Sequence, residues 1–244
     1  MTKPGARATG VLGPSYSEEE IAALQAEVLP RYLAFFQSLA VDRLNLAPPG
    51  RVAAMGILAS SLALAVAERA PAATVVGFDP SESGVRTRRS RPSSHDLEAL
   101  TSLPLKHPDA SFSHIVAVHP LTPPAERRRL LAEARRVLQP AGQLLLTLPL
   151  RGSFAEVSDM LREFALKSDS TKLAEAVEIA AVSRPTPETL TEELEAAGFD
   201  DVTVSVELLS VPFETGRDFA GHPLFGLVVG PDVAAALGLP NEAV

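Results

Sequence analysis

The chain has 244 residues, 46% hydrophobic and 21% charged, which is enough apolar side chain for one sizeable core and excludes a chain disordered throughout. A formal net charge of −8 argues against nucleic acid as a partner, because phosphate binding needs a basic surface. With no cysteine there is neither a disulfide framework nor a thiolate metal site.

The opening residues MTKPGARATG lack the apolar run of a signal peptide. The longest apolar stretches, 52–66 and 144–150, are too short or too interrupted to span a bilayer, so a cytoplasmic protein with no membrane span is expected. Tryptophan is absent and aromatics are 5%, which leaves little material for stacking bases or sugars.

Residues 1–16 are rich in Gly, Pro and Thr and read as a flexible N-terminus. Ser17, with Glu20 three residues on, has the pattern of a capping box. Ile21, Leu24, Val28, Leu33, Phe36 and Leu39 follow at helical spacing, with a kink or break expected at Pro30. Pro48-Pro49-Gly50 closes this N-terminal helical region, 17–50. Residues 51–55 (RVAAM) and 73–78 (ATVVGF) read as buried strands on either side of a helix over 60–69, a βαβ unit of a parallel sheet. Residues 84–94, with Arg86, Arg88, Arg89 and Arg91, read as a solvated basic loop, the sharper alternative being a dock for an anion or an acidic partner. No clear third strand is evident between Asp79 and Leu103.

Beyond it, 114–118 (HIVAV) and 143–148 (QLLLTL) read as strands around an amphipathic helix over 126–138, with Leu130, Leu131, Ala134, Val137 and Leu138 as its apolar stripe and Arg127, Arg128, Arg129, Arg135 and Arg136 on its wet side. Strand and helix thus alternate through a core at 51–150, which predicts helices on both faces of a mostly parallel sheet. Helices over 154–167 and 171–181 form an insertion at 151–182. In 183–244, Thr186 caps a helix with Pro187 at its first position, and Gly198 ends it. The alternating run 202–208 and the apolar run 224–229 are expected to close one sheet edge as an antiparallel hairpin. Residues 17–244 form a single domain on this reading.

The order of these segments resembles class I S-adenosylmethionine-dependent methyltransferases over roughly residues 50–208. The helix Leu62-Ala63-Leu64-Ala65-Val66-Ala67-Glu68-Arg69 matches the family's LALAxAER. Val75-Val76-Gly77-Phe78-Asp79 resembles its second strand with the ribose-binding acid. Leu103-Pro104-Leu105 with Pro108-Asp109-Ala110-Ser111-Phe112, the EARRVLQPAG run from Glu133 to Gly142, and the run from Glu193 to Val202 resemble three later family segments. The resemblance implies a doubly wound, Rossmann-like seven-stranded sheet with N-terminal helices and a small helical insertion.

The cofactor positions depart from the family. Ala54 stands where the family has the acid after its first strand, and an alanine side chain accepts no hydrogen bond. Leu58 and Ser60 replace two of the family's three loop glycines, and only Gly56 remains. The pair Ala99-Leu100 replaces the adenine-side Asp-Ala, with Asp96 a substitute only if the loop is redrawn, and Ser113 replaces a further acid. The plain reading of Asp79 before Pro80 is a cap on the following turn.

His119, just past a strand end, is placed for a general base on the acceptor side, or it is an ordinary strand exit. His95, His107, His114 and His222 are scattered and no metal site is expected; no nucleophile elbow, P-loop or GxGxxG is present.

The pattern favours a methyltransferase-like protein without catalysis, holding no cofactor and acting by binding an unidentified protein or ligand partner, as a monomer or homodimer. The alternative is an active S-adenosylmethionine-dependent methyltransferase on a small molecule, with Gly56 and Asp79 at the cofactor and His119 facing the acceptor. Residues 233–239 are expected to fold back on the domain or to dock on another chain.

Overall fold

In the computed structural model, residues 9–10, 12–46, 50–89, 96–120 and 123–237 are described. A two-residue-stranded hairpin, β1 (Thr9–Gly10) with β2 (Gly13–Pro14), precedes α1 (Glu18–Ala23), a π-helical stretch (Leu24–Leu33) and α2 (Ala34–Asp42). Then come β3 (Arg51–Gly56), α3 (Ala59–Arg69), β4 (Thr74–Asp79), α4 (Glu82–Arg89), β5 (Asp96–Ala99), β6 (Phe112–Val118), α5 (Pro124–Val137) and β7 (Leu138–Thr147). The chain continues through α6 (Ala155–Lys167), α7 (Thr171–Ser183), α8 (Pro187–Ala196), α9 (Gly216–Gly221), a second π-helical stretch (Phe225–Val229) and α10 (Gly230–Leu237).

The strands pair in parallel in the order β5-β4-β3-β6-β7. The order reverses beside β3, so β3 and β6 flank the switch point where ligands of open α/β sheets sit. The central strands are apolar on both faces, as parallel strands covered by helices must be. Val52, Ala54, Val116 and Val118 face a core shared with the N-terminal helices and α3. Ala53, Met55, Ile115 and Ala117 face the opposite core, closed by Leu130, Ala134 and Val137 of α5. A smaller cluster of Leu131, Leu190 and Leu194 joins α5 to α8.

Several sequence expectations are corrected. The helix does not break at Pro30: the chain passes through it in the π-helical stretch, whose wider turns tolerate the missing amide donor. A third strand exists, β5, hidden from sequence reading because it is four residues long with only Leu97 buried. Residues 84–89 of the expected basic loop lie in α4; 90–94 fall outside the described residues. The apolar run 224–229 is helical, not a strand; a short run buried all round has no periodicity to separate the two. Residues 202–208 carry no ladder, so among the described residues the sheet has five strands, not seven. In the segment expected to be flexible, Leu12 and Tyr16 are buried, and the Tyr16 hydroxyl donates to the Leu227 carbonyl at 2.9 Å. Residues 233–237 fold back as part of α10, which packs on α7; 238 and 239 are outside the described residues.

The capping box at Ser17 and the cap at Thr186 form as read, and Thr186 adds a second capping box that the sequence reading did not include. Ser17 and Glu20 satisfy each other's amides at the start of α1, and Thr186 does the same with Thr189 at α8. No helix among the described residues is long and apolar enough to cross a membrane.

Candidate cofactor site

The carboxyl ends of β3, β4 and β6 bring Gly56, Asp79 and His119 to the same rim of the sheet. What each does there differs from the family expectation.

Gly56 has φ +139°, and a Cβ on it would lie 2.1 Å from the Val118 carbonyl oxygen. The neighbouring strand therefore demands this glycine, whether or not any ligand does. Leu58 follows in the left-handed region (φ 58°) and occupies the cap position of α3, where it offers no side-chain acceptor. Its side chain packs into the same core as Ala54, and Ser60 is also buried. The loop that would hold a cofactor is thus folded inward as packing.

Asp79 takes over the capping. One carboxylate oxygen accepts the Ala59 amide of α3 at 3.2 Å. The other accepts the Ser81 amide at 3.0 Å and the Ser81 hydroxyl at 3.1 Å. Ser81 Oγ in turn accepts the Gly84 amide of α4 at 3.0 Å. A Cβ on Gly84 would come within 2.5 Å of Asp79 Oδ1, so the backbone of α4 lies directly over the carboxylate. Only 4% of Asp79 is exposed, and burial pushes its pKa up to about 6 against the lowering effect of its three donors.

A carboxylate has about four acceptor directions, and three are used within the chain. The residues present do not fit S-adenosylmethionine in the family's manner: the acid has no pair of free acceptors for two ribose hydroxyls, and Leu58 fills the loop. Asp96 gives no relief, since it opens β5 at the strand's amino end, opposite the ligand rim.

His119 has φ +49°, a strained conformation for a non-glycine residue. Its amide donates to the Thr147 carbonyl at 2.7 Å, and Nε2 lies 2.7 Å from the Tyr32 hydroxyl. Tyr32 and Phe36 meet the imidazole edge-on at 5.1 and 4.9 Å. The ring is fully buried, so a general base here would first need an opening to solvent or acceptor. Tyr32 sits in the π-helical stretch, and no sequence signal paired it with His119.

The sequence also missed a polar clamp. Arg136 forms a 2.6 Å pair with Glu133 and another with Asp109, and donates to the carbonyls of Leu105 and His107. Glu133 also accepts the Leu105 amide at 2.6 Å, and these donors hold its pKa below the usual value. Two of the segments that carry the family resemblance therefore meet in one network that closes the loop before β6. Among the described residues no cluster of His, Asp or Glu could hold a metal.

Comparison with known proteins agrees with this architecture. Residues 52–142 match a methyltransferase domain family. The demethylmenaquinone methyltransferase of Thermus thermophilus is 29% identical over 213 residues, covering 76% of this chain and 94% of that protein. A chain in the complex of Haloferax volcanii Trm112 methyltransferase activator with a methyltransferase superposes with TM-score 0.55 at 17% identity, covering 84% of this chain and 91% of that one. The sheet order and the matched segment define a class I methyltransferase fold. Both matches support the resemblance to class I S-adenosylmethionine-dependent methyltransferases, the methyltransferase domain match lying on residues 52–142.

Proposed function

We propose that this protein keeps the methyltransferase fold without methyl transfer and acts by binding a partner. The observation that carries the reading is the state of Asp79: its oxygens cap α3 and the turn into α4, and α4 covers them. Leu58 and Ala54, packed into the core, support the same reading. No methyl-transfer step follows from these residues.

A second reading has its own support. The Thermus thermophilus relative aligns over nearly its whole length and is a methyltransferase. Under this reading the chain is an active S-adenosylmethionine-dependent enzyme on a small molecule. Gly56 and a reoriented Asp79 would hold the cofactor, and His119 with Tyr32 would face the acceptor.

Calorimetric titration with S-adenosylmethionine and S-adenosylhomocysteine separates the two. Our reading expects no heat and no shift in Tm with either ligand at millimolar concentration, because only a ligand that binds the folded state raises its stability. Micromolar binding that disappears in Asp79→Ala would overturn it in favour of the enzyme.

A further inference from the structure

A cavity of ≈1780 Å³ opens along the outer edge of β7. It is lined on one side by Leu144, Leu146 and Leu148, and on the other by the segment 201–211. Leu190 and Leu194 of α8 also line it, and Phe154 and Phe219 contribute aromatic rings, stacked with centroids 6.5 Å apart. It is larger than the roughly 300–1,000 Å³ usual for a small-molecule pocket. Neither Asp79 nor Gly56 borders it, so it is separate from the family's cofactor position.

Three observations indicate what would fill it. Met160, Val206 and Leu208 are more than half exposed, and all three line this cavity, so apolar side chains are left in water there. Residues 202–211 carry no strand ladder, so this wall can move inward around a guest. The rim does not favour anions. Arg43 pairs with Glu207 at 3.6 Å, which leaves Arg135 and Arg151, each donating to a main-chain carbonyl, against four acids, Glu156, Asp200, Asp201 and Glu214.

We infer that this cavity binds a neutral, elongated apolar molecule of the long-chain alcohol type, with segment 201–211 closing over it. The apolar walls supply the affinity and the acidic rim rejects a carboxylate head.

The test titrates the full chain with the neutral fluorophore N-phenyl-1-naphthylamine, then displaces it with 1-dodecanol or dodecanoate. Uptake of the probe is expected, with dodecanol displacing it about tenfold better than dodecanoate, a difference of about 1.4 kcal/mol. Val206→Asp puts a charge on the wall at a half-exposed position, so Tm should hold while probe affinity falls about tenfold or more. Three results would overturn the inference: no probe uptake, uptake unchanged in Val206→Asp, or stronger displacement by dodecanoate. A dimer in sedimentation that Val206→Asp dissociates, with no probe uptake, would assign the face to a second copy instead. None of these outcomes depends on S-adenosylmethionine titration, so this inference and the proposed function fail separately.

Discussion

Asp79 shows how one side chain can keep its identity and change its work. In the family the acid at this strand end is a ribose ligand; here it replaces a missing helix cap. Leu58 at the cap of α3 cannot accept a hydrogen bond, and Asp79 reaches across from β4 to take the Ala59 amide. Burial makes that arrangement pH-dependent. The folded-state pKa of about 6 lies above the ordinary 3.8, so the folded chain binds this proton more tightly than the unfolded chain. The resulting stability is fully present below pH 3.8 and is lost as pH rises through 6. Two pKa units correspond to roughly 3 kcal/mol. Asp79→Asn keeps the shape, removes the titration, and turns an amide NH2 towards the Ala59 amide. The stability difference between parent and Asp79→Asn should therefore change by about that amount between pH 4 and 7. Chemical denaturation across the range measures it. A constant difference would mean that the carboxylate does not titrate in this window.

Elements are tied together here by arginines more than by caps alone. Arg127 of α5 makes a two-pronged pair with Glu193 of α8 at 2.6 and 2.8 Å, and both side chains are largely buried. Removing one partner of a buried pair leaves the other charge unpaired, a cost of about 3–5 kcal/mol. Arg127→Ala should destabilise by about that much. Arg129→Ala, two residues on, should stay within about 0.5 kcal/mol, because its Glu126 pair is exposed. Denaturant midpoints of the two variants check the contrast. The helix itself was legible in sequence: Leu130, Leu131, Ala134 and Val137 made its apolar stripe, and all are buried. The work of its arginines was not. The reading put Arg127 and Arg136 on the wet side, yet both turn onto acids brought from distant parts of the chain, Glu193 and Asp109. Such partners lie tens of residues away, and helical periodicity carries no information about them.

At the scale of the whole molecule, legibility follows how local the cause is. The βαβ order, the Ser17 capping box and the Thr186 cap were readable, because strand length, cap residues and alternation are local signals. Gly56 and Asp79 were read as site residues from the resemblance, but their present partners, Val118 and Ser81, belong to the packing and gave no signal of their own. The edge of the sheet was misread for a related reason. Residues 202–208 alternate like a strand, yet a strand exists only when a neighbour supplies the ladder, and β7 lies across a cavity from them. This difference in pairing makes a final prediction about how stability is spread. Amides of β3 and β6, paired on both sides, should exchange with solvent only through global unfolding. Amides of 202–211 should exchange in the native state, orders of magnitude faster, since no strand ladder holds them. Hydrogen exchange read by peptide mass follows both regions in one experiment. Equal protection of the two regions would mean that the segment spends its time docked on β7 as a further strand, with the cavity closed. Fast exchange that slows when N-phenyl-1-naphthylamine is added would tie the same segment to ligand capture, because closing the wall shields its amides from water.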